Sequence, residues 1–126
     1  MKELLERARK FLKEAEDDIE KEFYDLAVFH LEQSLQLLFK YILAAKIGYF
    51  SKTHSLVLLK EEIRNVLPEF ASFLDEHHQH LRELERAYIG ARYLPFKYEK
   101  EEAMKLLEVV KKIFERAENE WNKNSN

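Results

Sequence analysis

The sequence contains no cysteine, only two glycines and two prolines, and no uninterrupted apolar run of membrane-spanning length. Without cysteine there is no disulfide, no thiol nucleophile and no thiolate metal site. So little glycine and proline cannot supply the many tight turns of a β fold, but it suits long helices with short connections. The most apolar stretch, residues 23–46, is interrupted by Lys40 and Lys46, and so falls short of the roughly 20 apolar residues that a membrane span needs. The N-terminus is charged from Lys2 onward and lacks a secretory-signal pattern, so a cytoplasmic protein is expected. Nor is there an excess of one charge. The formal net charge is −3 with both signs mixed, which excludes a global pull towards nucleic acid and leaves RNA only a local patch.

What is present is 126 residues, 46% hydrophobic and 36% charged, enough for one domain over 1–126. Aspartate stands only at positions 17, 18, 25 and 75, so glutamate supplies most of the carboxylates; with no cysteine, this leans towards a heat-loving source. Leu5, Ala8, Leu12, Ala15 and Ile19 recur at alternating steps of three and four, which predicts an amphipathic helix over Lys2 to Lys21. The apolar phase then changes, which predicts a reversal near Glu22 or Phe23. The second helix, over Phe23 to Lys46, carries a stripe of Ala27, Leu31, Leu35, Leu38, Ile42 and Ala45, widened by Tyr24, Val28, Phe39 and Leu43. A helix this apolar must be covered on more than one face. One stripe is expected to face the bundle and the other a second subunit.

Gly48 is the expected stop of that helix, and Thr53 the N-cap of a short third helix from about His54 to Val66. Pro68 ends it and opens the next segment, where Phe70, Phe73, Leu74, His77, Leu81, Leu84, Tyr88 and Ala91 hold helical phase to about Tyr93. That segment is one long helix, or two pieces joined near His77 to Gln79. Gly90 and Pro95 end it, and a last helix spans about Glu99 to Asn122, with a frayed tail over 122–126. The expected fold is all-α: an antiparallel, up-and-down four-helix bundle with one additional short helix.

The second helix also carries a thin polar line, His30, Gln33, Gln36 and Lys40. A plainer reading is open for each: Lys40 can lay its stem along apolar neighbours, the glutamines can face solvent, and His30 can be structural or sit at an interface. Ala91-Arg92-Tyr93-Leu94-Pro95 places an arginine and a tyrosine at a helix end. A guanidinium grips phosphate through two parallel hydrogen bonds and a tyrosine ring stacks on a base, although Arg92 can equally pair with a carboxylate and Tyr93 pack on the core. His54, at a helix start, is placed for an anion or for a local hydrogen bond. His77, His78 and His80 suggest zinc, but too few converging ligands accompany them; His77 falls in the apolar phase and His78 is expected to be exposed. No metal and no cofactor is expected, and no glycine-rich phosphate loop, paired Glu-x-x-His or strained nucleophilic serine is present.

Taken in order, Ala15-Glu16, Phe23-Tyr24-Asp25-Leu26-Ala27-Val28-Phe29-His30, Gln33-Ser34, Lys40, Thr53-His54 with Leu56 and Leu59, and Ala91-Arg92-Tyr93 resemble the HEPN domain family of prokaryotes in its small stand-alone form. The resemblance runs over about Glu14 to Ala103. It implies a bundle of about five helices, usually a homodimer, often with a minimal nucleotidyltransferase as partner, the two commonly acting as toxin and antitoxin, and with nucleotide binding proposed for the HEPN member. HEPN ribonucleases carry an arginine and a following histidine separated by four to six residues. No arginine here precedes a histidine at that spacing, which argues against ribonuclease activity through the usual pair.

The function expected from these features is a non-catalytic, homodimeric HEPN-like protein that binds a nucleotide or a nucleotidyltransferase. Its expected cleft lies between the second helix and the Arg92 helix end. There Arg92 holds phosphate, Tyr93 stacks or hydrogen-bonds, Lys40 adds charge, Gln33 reads a polar edge and His54 closes the pocket. Two alternatives stay open: a ribonuclease toxin acting through other residues such as His54 with Arg92, and a purely structural homodimeric interaction module.

Overall fold

Lys2–Glu20 forms helix α1 and Tyr24–Ile47 forms α2, joined by a turn with no glycine or proline in it. Glu22 takes the left-handed conformation (φ 63°), Phe23 N–H bonds to Asp18 C=O at 2.8 Å and Glu22 N–H to Ile19 C=O at 3.0 Å. This pair of bonds is a Schellman stop, a turn normally built on glycine; the reversal near Glu22 and Phe23 is therefore real, but made by a residue that gives no turn signal. The structure, a computed structural model, describes residues 2–92 and 97–124, with 91, 92 and 122–124 described by backbone alone.

At the far end of α2, Gly48 adopts φ 83° and its N–H bonds to Ala44 C=O, the glycine stop expected there. The next helix, α3 (Leu56–Arg64), starts two residues later than expected. Its N-cap is Ser55, whose hydroxyl accepts from Leu58 N–H, and not Thr53. Thr53 instead accepts from Ser55 N–H at 3.1 Å, and Ser51 from Thr53 N–H at 3.0 Å. These local hydroxyl bonds hold residues 51–55 in an extended lead-in and delay the helix.

Pro68 sits in the first turn of α4 (Pro68–Asp75), and α5 (His78–Arg92) follows after a break at Glu76 and His77. The long fourth segment is thus the two-piece version. The last helix, α6, runs Lys100–Asn124. Among the described residues there are six helices and no strand, and the fold is the expected helical bundle with additional short pieces.

Helix α2 is the axis of the molecule, packing against α1, α3, α5 and α6. Val28, Leu31, Leu35, Leu38, Phe39, Ile42 and Leu43 are buried on it, each stabilising the fold by roughly 1.5–3 kcal/mol through loss of apolar surface to water. The stripe drifts by one residue at its end, so Ala44 is buried and Ala45 exposed. The apolar circumference of α2 is therefore consumed within one chain, and its large exposed apolar residues, Leu26 and Ile47, lie near its ends. Val28, Phe39 and Leu43, which widen the stripe, are buried within the one chain and are not left to face a second subunit. No described helix is long and apolar enough to cross a membrane.

Candidate functional site

The step of four from Val28 along α2 does not reach another apolar residue but Glu32, whose side chain is fully buried. A carboxylate there loses its water and must be met by donors. Gln33 Nε2 donates to its Oε1 at 2.8 Å and Gln36 Nε2 to its Oε2 at 2.5 Å. Burial pushes the Glu32 carboxyl up to about 7, against the lowering effect of the two amide donors; the nearby Glu85 carboxylate raises it further and Lys40 lowers it. Gln36, itself buried, turns its carbonyl oxygen towards His54 Nδ1 at 3.3 Å. In that arrangement Nδ1–H of His54 is the donor.

His54 stays exposed on its outer side and stacks on Tyr88 of α5, with ring centroids 5.2 Å apart and planes 22° apart. Glu85, one turn earlier on α5, accepts from Ser55 Oγ at 2.6 Å and from Val57 N–H at 2.8 Å. A carboxylate of the protein's own thus meets the positive end of α3. The anion site that the position of His54 suggested is taken, and His54 serves instead to join Gln36 to Tyr88.

Lys40 lies two turns beyond Glu32. Its ammonium stands 5.7 Å from the centre of the Phe50 ring, a distance that suits a cation over an aromatic face. Partial burial lowers the Lys40 pKa, while the carboxylates of Glu32 and Glu62 hold it up. Phe50 in turn lines a pocket of about 390 Å³ with Leu43, Tyr49, Ser51, Glu62 and Asn65. Glu62 Oε2 is buried beside it without a hydrogen-bond partner among the described residues.

Of the five residues expected at the site, Gln33, Lys40 and His54 are gathered around Glu32, Gln33 by direct contact, Lys40 by its charge and His54 through Gln36. The Arg92 side chain and all of Tyr93 lie outside the described residues, although α5 reaches Arg92 one turn after the His54–Tyr88 stack. Glu32, Glu85 and Tyr88 escaped the sequence reading. Glu32 had a signal, as the one carboxylate on the apolar row Tyr24, Val28, Phe39, Leu43; Glu85 had none, since only the fold brings α5 to the start of α3.

The histidines divide by environment. His30 Nδ1 meets Asp18 at 2.6 Å, the structural contact that was open for it. His78 is half-buried against Lys60 Nζ at 2.9 Å, and so is not the exposed residue expected. Lys60, buried, also pairs with Asp75 at 2.9 Å and ties α3 to α4. His77 is partly buried as its phase implied, and burial lowers its pKa. No group of three or more His, Cys, Asp or Glu among the described residues is arranged to hold a metal ion.

Comparison with known proteins adds one finding. Neither the curated proteins nor the solved structures give a match. The family model of the HEPN domain matches residues 1–121, all but the last five of the chain. With nearly the whole helical chain so covered, this protein belongs to the HEPN domain family.

Proposed function

We propose that this chain is a non-catalytic HEPN protein that binds a nucleotide, or the nucleotide-handling surface of a minimal nucleotidyltransferase, on the side of α2 facing α3 and α5. The observation that supports this reading is the polar network Glu32–Gln33–Gln36–His54–Tyr88 set into an otherwise apolar face, with Lys40 beside it. A core without a use for them would hold apolar residues at 32 and 36, because each buried polar group costs free energy that its hydrogen bonds only offset. The pocket next to Phe50 has room for a base, an aromatic wall and a free carboxylate oxygen on Glu62 to accept from an exocyclic amine. Lys40 supplies positive charge between the two regions, and Arg92 and Tyr93, expected from the sequence to hold phosphate and to stack, follow in the chain one turn after Tyr88. The missing arginine-to-histidine spacing argues for binding without RNA cleavage.

Titration calorimetry with ATP, GTP and their monophosphates tests the site. Lys40→Ala and Arg92→Ala should each weaken binding about tenfold, the usual loss for one charge-assisted phosphate contact, with unchanged helicity by circular dichroism. Equal affinity in wild type and both variants would sink the site. Metal-independent cleavage of RNA that His54→Ala abolishes would replace this reading with the ribonuclease one.

A further inference from the structure

One turn before Gln33, where α2 packs against α1, lies a second site that the polar network does not use. His30 Nδ1 is held by Asp18 at 2.6 Å, and Asp18 is 8% exposed. The imidazole is flanked by Phe11 and Phe29, with ring centroids 5.7 Å and 5.6 Å away. Its orientation is therefore set on three sides by side chains from two helices. With Nδ1 committed to Asp18, the remaining ring nitrogen, Nε2, has no protein partner among the described residues.

His30 lines an open pocket of about 230 Å³ whose other walls are Arg7, Lys10, Phe11 and Glu14. Arg7 and Lys10 stand one turn apart on α1, where many neighbouring cations are neutralised. Lys13 pairs with Asp17, Arg9 with Glu118, and Lys111 reaches back to Glu16. Arg7 and Lys10 have no ion pair or hydrogen bond among the described residues, and neither has Glu14. The pocket thus gathers two uncommitted cations, one positioned imidazole nitrogen, one aromatic wall and one free carboxylate. A guanidinium and an ammonium a turn apart fit the oxygens of a phosphate. Glu14 repels an anion and so belongs opposite a neutral donor such as a hydroxyl.

We infer that the Arg7–Lys10–Glu14–His30 pocket binds a small phosphomonoester carrying hydroxyl groups, of the sugar-phosphate class, with the phosphate on Arg7 and Lys10. His30 Nε2 donates to a phosphate oxygen when the ring is protonated and accepts from a ligand hydroxyl when it is neutral. Asp18 acts through His30 as a positioning residue. This site is separate from the α2–α5 site, and neither depends on the other.

The probes are ribose 5-phosphate and inorganic phosphate, titrated at constant ionic strength into the full chain labelled with nitrogen-15 and carbon-13. Saturable shifts of the His30 ring and Phe11 resonances are expected, with ribose 5-phosphate tighter than phosphate because Glu14 engages its hydroxyls. The double variant Arg7→Gln, Lys10→Gln, at two exposed positions, should fold normally and bind at least about tenfold more weakly. His30→Gln, which keeps a hydrogen-bonding group, should lose about threefold and Glu14→Gln should erase the preference for ribose 5-phosphate. The absence of saturable shifts at His30 overturns the inference, as does undiminished binding in the double variant. Loss of phosphate binding in Lys40→Ala or Arg92→Ala but not in the double variant also overturns it and assigns the phosphate to the α2–α5 site.

Discussion

At position 32 the protein keeps a carboxyl group where the helix phase calls for a leucine, and the consequence is a stability that depends on pH. Glu32 has a pKa of about 7 in the fold against 4.5 for the free group. The folded chain therefore binds more protons than the unfolded chain between those values, and stability falls as pH rises through that window. At 1.36 kcal/mol per unit, the part falling between pH 5 and pH 8 is about 2–3 kcal/mol. Glu32→Gln should remove it, which urea unfolding of both proteins at the two pH values will measure; equal pH slopes would show that Glu32 is not the group responsible. Protonation has a local effect too. A neutral Glu32 has a hydroxyl to donate; with the proton on Oε2, the Gln36 amide turns its oxygen towards Glu32 and its nitrogen towards His54, and Nδ1 of His54 then becomes an acceptor, whereas with the proton on Oε1 it is Gln33 that turns. A change of the His54 tautomer with the titration of Glu32, read in the nitrogen-15 shifts of its ring, would place the proton on Oε2, and an unchanged tautomer would place it on Oε1.

Two helix ends use the left-handed conformation and fill it differently. Gly48 occupies it at the end of α2 without strain, and a Cβ added there would meet nothing within 4 Å. Gly48→Ala should then cost only the backbone term, about 1 kcal/mol. At the end of α1 the same conformation is taken by Glu22, so Glu22→Gly should stabilise the protein by about 0.5–1 kcal/mol, the relief of strain being partly offset by the freer unfolded chain. Opposite shifts in thermal midpoint are the expected outcome, and a loss of stability in Glu22→Gly would show that its side chain contributes more than its backbone costs. At the start of α3 Glu85, distant in sequence, adds to the local hydroxyl bonds by meeting Ser55 Oγ and Val57 N–H. Both Thr53 and Ser55 are good caps locally, and the contact from α5 reinforces Ser55.

For the whole molecule, most of the apolar surface of α2 is buried within one chain, and large exposed apolar residues remain on other helices. Leu58, Ile89 and Met104 are large, apolar and about half-exposed, on α3, α5 and α6. If the homodimer common in this family forms here through α5, Ile89→Glu should convert a sedimenting dimer to a monomer, whereas unchanged sedimentation would place the interface away from Ile89. The all-helical class, the helix order, the Gly48 stop and the Pro68 start could all be read from composition and periodicity, and the family resemblance from an ordered set of short motifs. These features depend on which residues are near in the chain, and local steric and burial preferences act at that range. The sequence also exposed the polar line on α2, since Gln33, Gln36 and Lys40 are one helix-turn neighbours. It did not disclose what that line meets. That Gln36 is buried, that Glu32 is its centre, that Glu85 and Tyr88 close it from α5 and that Asp18 orients His30 were decided by tertiary packing. Each of these depends on helices packed against one another, and the burial that shifts a carboxyl group or commits an imidazole nitrogen exists only once those helices have excluded water together.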